Sequence, residues 1–154
     1  MSLGWSDLTP EGRRYFAELE KLASLEIQVG FPEGMGEGYE NGASLAEVAA
    51  YNEFGGSSKP ARPFMRQSFE NHQAELQRGC DEANLTINGG GSAEQALNAL
   101  GVLAKGLVQN EIVEGGFAPN APSTIAKKGS AQPLIDTAHM RQSVNYVIKP
   151  RGGE

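Results

Sequence analysis

The sequence predicts an α+β fold, in which a small antiparallel sheet packs against a long helical hairpin. Two segments, near 25–31 and 144–149, alternate apolar and polar residues, as strands with one buried face do. Two longer segments, about 64–88 and 93–114, carry apolar residues at spacings of three and four, which indicates amphipathic helices. Only a short glycine-rich link separates these helices, so we expect them to lie antiparallel. Long Gly/Pro-rich loops join the other elements.

Length and composition indicate a single domain, spanning residues 1–154, that is long enough to build a hydrophobic core. The net charge is −6 and no basic cluster occurs, which argues against a nucleic-acid-binding surface. The one cysteine, Cys80, excludes an internal disulfide and a CxxC metal motif. No apolar segment approaches the roughly 20 residues that a membrane-spanning helix needs, so we expect no membrane association.

The N-terminal part of the chain is predicted to form a helix and then a strand. Thr9 and Pro10 provide a hydroxyl cap and a proline at the first helical position, so a helix should run from about 10 to 23. The first strand follows over 25–31 and ends at a proline. Residues 33–42 are rich in glycine and glutamate, which cannot form a core and predicts a mobile loop.

A short second helix is predicted from its cap. Ser44 and Glu47 form a capping box, and the apolar spacing that follows indicates a helix ending near Phe54. The glycine-serine segment at 55–60 stops this helix and is expected to be a mobile loop.

The remaining elements follow from apolar stripes and their interruptions. The stripe of the 64–88 helix includes His72 and Cys80, so we predict that both face the core. Residues 115–133 form a long connection that is expected to be mobile. A short helical turn near Thr137 then leads into the second strand. Because two strands alone form a marginal sheet, we expect a third strand or a neighbouring subunit to complete it.

Candidate catalytic groups are few and do not form a convergent set. His139 lies near Asp136 and Arg141 in the sequence, but no nucleophile stands in a recognisable context, so no catalytic triad is indicated. The pair Lys127 and Lys128 lacks the preceding glycines of a phosphate-binding loop. No metal-ligand spacing of His, Cys, Asp or Glu occurs. We therefore predict no enzyme activity, no catalytic residue, no cofactor and no metal.

Two compact blocks flank the loop at 55–60 and contain more charged and aromatic residues than is usual for a solvent-exposed loop. Each block, 52–55 and 61–64, combines a charge, an aromatic ring and a residue that breaks regular structure. We call these blocks the latch, and we predict that Glu53 pairs with Arg62 while the aromatic rings anchor both ends of the loop. The residues assigned to the latch and to assembly are Asn52, Glu53, Phe54, Gly55, Arg62, Pro63, Phe64, Asp136, Thr137 and Arg141.

Four segments, taken together in this order, resemble the small virion-morphogenesis proteins of tailed bacteriophages and prophages. They are IQVGF at 27–31, LAEVAAYNEFG at 45–55, PARPFMR at 60–66 and PLIDTAHMRQSVNY at 133–146. That family covers neck, head–tail joining and tail-completion proteins, including Mu-like virion morphogenesis proteins. One departure is Ala138, where the family tends to have glycine. A Cβ disfavours a turn with positive φ, so we expect helix there instead.

The resemblance implies a structural role without catalysis, either in joining head to tail or in completing the tail. Such a protein would be one subunit of an oligomeric ring, and its partners would be copies of itself and neighbouring head-completion and tail proteins. DNA would pass only as cargo, and no membrane would be involved. The expected location is the virion neck or tail, after assembly in the cytoplasm of the bacterial host. A role as tail terminator is an alternative.

Two hypotheses from other functional classes stay open at this point. One is a small hydrolase or nucleotide-binding enzyme that uses His139, Asp136 and the Lys127-Lys128 segment. The other is an adaptor-type binding module, similar to those of toxin–antitoxin systems, in which the acidic loop at 33–42 mimics a polyanion.

Overall fold

The computed structural model describes residues 4–33, 44–57, 60–115 and 138–152. A 3₁₀ turn (Trp5–Asp7) precedes the regular elements. In chain order these are α1 (Pro10–Ala23), β1 (Leu25–Gly30), α2 (Leu45–Phe54), α3 (Phe64–Asn71), α4 (Gln73–Asn88), α5 (Ala93–Glu114), α6 (Ala138–Ser143) and β2 (Asn145–Pro150). The predicted α+β class is confirmed. None of the helices in these ranges has the length and apolarity to cross a membrane.

The caps that the sequence shows set the helix starts. Thr9 Oγ1 accepts from the Gly12 N–H at 3.0 Å, and α1 begins at the proline between them. Capping boxes at Ser44 and Ser92 start α2 and α5, because each serine and its partner three residues later satisfy one another's backbone N–H. The predicted boundaries of these three helices are therefore confirmed to within a residue or so.

The hairpin of α4 and α5 is packed closely through a glycine. A Cβ placed on Gly79 would lie 2.6 Å from a methyl carbon of Leu103 and 2.9 Å from one of Leu100, so only glycine fits without a shift. Nearer the turn, Ile87 of α4 packs with Ala96 of α5. These contacts run in opposite directions along the two helices, which confirms the antiparallel arrangement.

The prediction of one continuous helix over 64–88 is wrong at its centre. His72 ends α3 and precedes α4 with φ −121° and ψ 28°, outside the α-helical region. Helix α4 buries Gly79, Ala83 and Ile87. Cys80, which the predicted stripe placed in the core, is exposed, because Gly79 faces α5 and the next position on a helix is rotated by about 100°.

The sheet consists, within the described residues, of β1 and β2 paired antiparallel. The register runs from Leu25 opposite Pro150 to Gly30 opposite Asn145. Its inner face rests on α5 through Tyr146. The Tyr146 hydroxyl lies 2.9 Å from Asn98 Oδ1, and the ring fills the space beside Gly101, where a Cβ would come within 2.7 Å of Cγ. The predicted packing of the sheet is confirmed for α5, the second helix of the hairpin.

The core has two parts, one toward each end of α5. The first is formed by Ala49, Phe64, Val108, Ile112, Met140 and Val144, and the second by Ala83, Ile87 and Ala96. Helices α2, α3 and α6 cover the first part, while Tyr15, Leu19 and Leu22 of α1 cover the second. Helix α5 therefore links two groups of elements that share few direct contacts.

Helix α1 also binds the α4–α5 turn through polar side chains. The Arg14 guanidinium donates to the carbonyl oxygens of Ile87 at 2.8 Å and Gly91 at 3.1 Å, at the negative end of α4. The Ala93 N–H donates to Glu18 Oε2 at 2.8 Å, at the positive end of α5. Each charge thus satisfies backbone groups that the helix ends leave without partners.

Two of the three loops predicted to be mobile, at 33–42 and 115–133, lie mostly outside the described residues, and the third, at 55–60, does so in part. Residues 34–43, 58–59 and 116–137 fall outside, and with them most of the predicted loops at 33–42 and 115–133. Their mobility stays a prediction.

Candidate assembly site

The two blocks of the latch lie side by side at the junction of α2 and α3. The Arg62 N–H donates to the Asn52 carbonyl oxygen at 2.6 Å, and the Phe64 N–H donates to the Arg62 carbonyl oxygen at 2.7 Å. This backbone bonding fixes where the chain leaves α2 and where it enters α3. The structure therefore brings the two predicted blocks together.

Glu53 holds the latch closed in a way that the sequence did not indicate. Its carboxylate accepts from the Met65 N–H at 2.9 Å and from the Arg66 N–H at 3.1 Å. Both amides belong to the first turn of α3, whose own cap residue, Pro63, makes no side-chain capping bond. Glu53 therefore caps α3 from the neighbouring helix.

The predicted pairing of Glu53 with Arg62 is not observed, since no ion pair between described residues joins them. The physical reason is that two amides at the positive end of α3 already satisfy the Glu53 carboxylate. Burial lowers the pKa of Arg62 from its ordinary value, and Glu53 plays no part in that shift.

Only one of the two aromatic anchors is buried. Phe64 is 1% exposed and meets Phe31 edge to face, with ring centroids 6.2 Å apart. Phe54 is 81% exposed, so its predicted role as an anchor is wrong. Helix α2 turns Leu45 and Ala49 toward the core, and Phe54 falls outside that face.

The outer face of α2 therefore carries an aromatic surface at its C-terminal end. Tyr51 is 67% exposed and lies one turn before Phe54. Gly55 ends the helix with φ 72°, a conformation that suits glycine, and its N–H donates to the Tyr51 carbonyl oxygen at 2.9 Å. We call Tyr51 and Phe54 the aromatic pair of α2.

The C-terminal block meets the same junction. Asn52 Nδ2 donates to the Val48 carbonyl oxygen at 2.9 Å and lies 4.0 Å from the Sδ atom of Met140, which is fully buried in α6. The Arg141 carbonyl oxygen accepts from Gln109 Nε2 of α5 at 3.1 Å. Of the predicted assembly residues in this block, Arg141 is thus tied to α5, while Asp136 and Thr137 lie outside the described residues.

Behind the latch, α3 is joined to α5 by a buried polar cluster. Glu111 is 6% exposed, and its Oε1 accepts from Gln67 Nε2 at 2.8 Å and from Asn71 Nδ2 at 3.1 Å. Its Oε2 lies 3.1 Å from His72 Nε2, and His72 Nδ1 lies 3.0 Å from Glu75 Oε1. We call these five residues the Glu111 cluster. A buried carboxylate is stable only when it is hydrogen-bonded in this way.

The electrostatics of the cluster favour a charged His72. The hydrogen bond to Glu75 raises the pKa of His72 above 6.5, burial opposes the rise, and Glu111 adds to it. The apolar spacing did not reveal the cluster. The signal in the sequence was Glu111 itself, a charged residue between Val108 and Ile112 on the buried stripe of α5.

The contacts of these residues are packing and hydrogen-bonding contacts. Within the described ranges, no three His, Cys, Asp or Glu side chains are grouped so that they could hold a metal ion. His139 is exposed on α6, whereas Asp136, Lys127 and Lys128, which the hydrolase hypothesis also needs, lie outside those ranges.

Comparisons of the chain with protein-family models, with curated proteins and with solved structures give no match. The four resembling segments and their packing are therefore the observations that bear on function.

Proposed function

We propose that this protein is a structural component of a tailed-phage or prophage virion, which joins head to tail or completes the tail as a subunit of an oligomeric ring. The observation that carries the proposal is the convergence of three of the four resembling segments at one junction. Asn52 bonds to the 60–66 segment through its carbonyl oxygen and contacts Met140 of the C-terminal segment through its amide. Segments far apart in the sequence thus build one local structure.

The fourth segment reaches the same structure through its last residue. Phe31, directly after β1, packs edge to face on Phe64, and Val29 packs against the same part of the core. The residues that carry the resemblance therefore form a connected unit, which is the expected result if they share one role.

The exposed aromatic side chains support a role in assembly. Interfaces between proteins are enriched in tyrosine, phenylalanine and tryptophan. The aromatic pair of α2 lies toward one end of α5. Trp5 and Phe16, with ring centroids 6.5 Å apart and both exposed, lie with α1 toward the other end. A ring of identical subunits needs two different, complementary faces, and the protein offers two different aromatic surfaces.

In this proposal the partners are other copies of the chain and the neighbouring head-completion and tail proteins, and DNA passes only as cargo. The protein acts in the virion neck or tail after assembly in the host cytoplasm. A tail terminator remains the alternative within the same class, and it differs in binding the end of the tail tube without binding a head-completion protein.

Electron microscopy of the protein, mixed with portal, head-completion and tail-tube proteins of a tailed phage, tests the proposal. We expect rings, or rings seated on heads or tails. Absence of rings together with absence of binding to every one of these neighbours would contradict it. A monomeric state of the isolated protein would not contradict the proposal, because subunits of this kind can need a partner before they form a ring.

A further inference from the structure

The break between α3 and α4 places one histidine between two carboxylates. His72 Nδ1 lies 3.0 Å from Glu75 Oε1 and Nε2 lies 3.1 Å from Glu111 Oε2. A neutral imidazole has one N–H and one unprotonated nitrogen, so it donates to only one of these oxygens. The imidazolium alone donates to both.

The two carboxylates come from different helices and differ in exposure. Glu75 is in the first turn of α4, with a side chain that is 41% exposed, whereas the Glu111 side chain on α5 is 8% exposed. Helix α3 contributes Gln67 and Asn71, which are neutral and donate to Glu111. Among the described residues, Glu75 and Glu111 are the charged groups that act on His72.

The position of His72 makes its hydrogen bonds mechanically important. It is the residue at which the helix breaks, and its carbonyl oxygen accepts from the Leu76 N–H at 3.0 Å, which begins α4. Through Glu111 it also joins the α3–α4 corner to α5. A change in these bonds therefore acts on the angle between α3 and α4.

We propose that His72 is a pH-sensitive joint, which as an imidazolium holds α4 through Glu75 and α5 through Glu111, and which releases Glu75 when it loses its proton. Release falls on Glu75 because water can solvate that carboxylate after its side chain rotates outward. Glu111 is buried and needs a donor, so the neutral ring keeps its proton on Nε2. This inference does not depend on the proposed function.

The consequence is a fold whose stability depends on pH in a defined direction. The pKa of His72 is raised in the folded state above its ordinary value of 6.5. The stabilisation is therefore fully present below pH 6.5 and is lost as the pH rises through the folded-state pKa.

Nuclear magnetic resonance of the full chain tests the joint. Nitrogen shifts of the His72 ring report its titration and its neutral tautomer, and amide exchange, corrected for the intrinsic effect of pH, reports protection in α3 and at Leu76. In the wild type we expect His72 to titrate with a pKa above 6.5 and its ring to carry the proton on Nε2 at pH values above that pKa. We expect the protection of these amides to fall between pH 5.5 and pH 8.5. The expected fall is about tenfold for each unit by which the pKa is raised.

Three variants make the result decisive. His72→Gln should remove the pH-dependent part of the protection, and Glu75→Gln, which alters a partly exposed residue, should lower the His72 titration midpoint. His139→Gln removes the other histidine and should leave both readouts as in the wild type. The proposal is overturned if His72 titrates at or below 6.5, or if wild type and His72→Gln lose protection equally over this pH range. If His72→Gln does not fold, Glu75→Gln and the wild-type ring titration still decide the outcome.

Discussion

Glu53 shows how one side chain can connect two helices that the sequence separates by a loop. Its carboxylate lies in α2 but binds two amides in the first turn of α3. A cap of this kind cannot be predicted from local patterns, because capping motifs are recognised at spacings of two or three residues. The charged and aromatic residues of the block do make contacts between elements, although Glu53 bonds to α3 amides and not to the predicted partner, Arg62.

Replacing Glu53 with alanine should weaken the latch measurably. Two amides at the positive end of α3 would lose their acceptor, so we expect the free energy of unfolding to fall by about 1 kcal/mol, as for other lost N-caps. Urea denaturation measures it. Glu70→Ala is the matched control, because Glu70 is an exposed residue of α3 that pairs only loosely with Arg66, at 3.8 Å. Equal stability losses in the two variants would contradict the capping role.

The sequence predicts the burial of Phe64 correctly and that of Phe54 incorrectly. Phe64 follows two prolines and begins a helix whose stripe faces the core, and it is buried as predicted. Phe54 ends a helix whose inward residues are spaced at Leu45 and Ala49, and that spacing already placed it off the buried face. The apolar spacing of α2 therefore indicates an exposed Phe54, in conflict with the anchoring role predicted from the block.

At the scale of elements, the contact between α5 and the sheet depends on a glycine. Gly101→Ala would place a Cβ 2.5 Å from Cε2 and 2.7 Å from Cγ of Tyr146, so the ring or the strand must move. We expect a loss of about 1–3 kcal/mol in the free energy of unfolding, the usual cost of overpacking. Chemical denaturation measures it.

Gly106→Ala on the same helix is the control for this prediction. Nothing lies within 4 Å of the position its Cβ would take, so the substitution adds helix propensity without a clash. We expect it to raise the free energy of unfolding by up to about 1 kcal/mol. A similar effect from both substitutions would show that Gly101 does not set the approach of β2.

We expect Arg14 to contribute to the packing of α1 on the α4–α5 turn. Arg14→Ala removes two charge-assisted hydrogen bonds to carbonyl oxygens at the α4–α5 turn, and we expect a loss of about 2 kcal/mol. Thermal unfolding followed by circular dichroism measures it. Arg13 is exposed on the same helix, so Arg13→Ala is the control and should be close to neutral. An Arg13→Ala loss as large as that of Arg14→Ala would contradict the specific role.

The elements that the sequence predicted well are those with their own start and stop signals. Helix α1 has a hydroxyl cap and a proline, and α2 and α5 have capping boxes. Strand β1 alternates apolar and polar residues and is followed by a proline. The break at His72 has no such signal, because apolar spacing continues through it. It forms where a histidine bonds to a carboxylate 39 positions later in the chain, and such a tertiary contact overrides local periodicity.

At the scale of the whole molecule, α5 joins two groups of elements. One end holds α1 and the α4–α5 turn, and the other holds the latch, the Glu111 cluster and α6. The sheet lies along the same helix and has two strands within the described residues, fewer than an independent sheet usually needs. The predicted completion by a third strand or a neighbouring subunit remains a prediction.

We propose that the latch holds the aromatic pair of α2 in place for binding a neighbouring head or tail protein. The most direct test is co-sedimentation of the protein with heads and tails that lack it, comparing a Tyr51→Ser and Phe54→Ser double variant with Val102→Ser. Val102 is 62% exposed on α5 and lies outside the latch, so it controls for the loss of an exposed apolar side chain. We expect the double variant to lose at least about tenfold in binding, since each aromatic hot spot contributes more than 1 kcal/mol. Its stability should be unchanged, and Val102→Ser should bind as the wild type does. Wild-type binding by the double variant, or an equal loss in Val102→Ser, would contradict the claim.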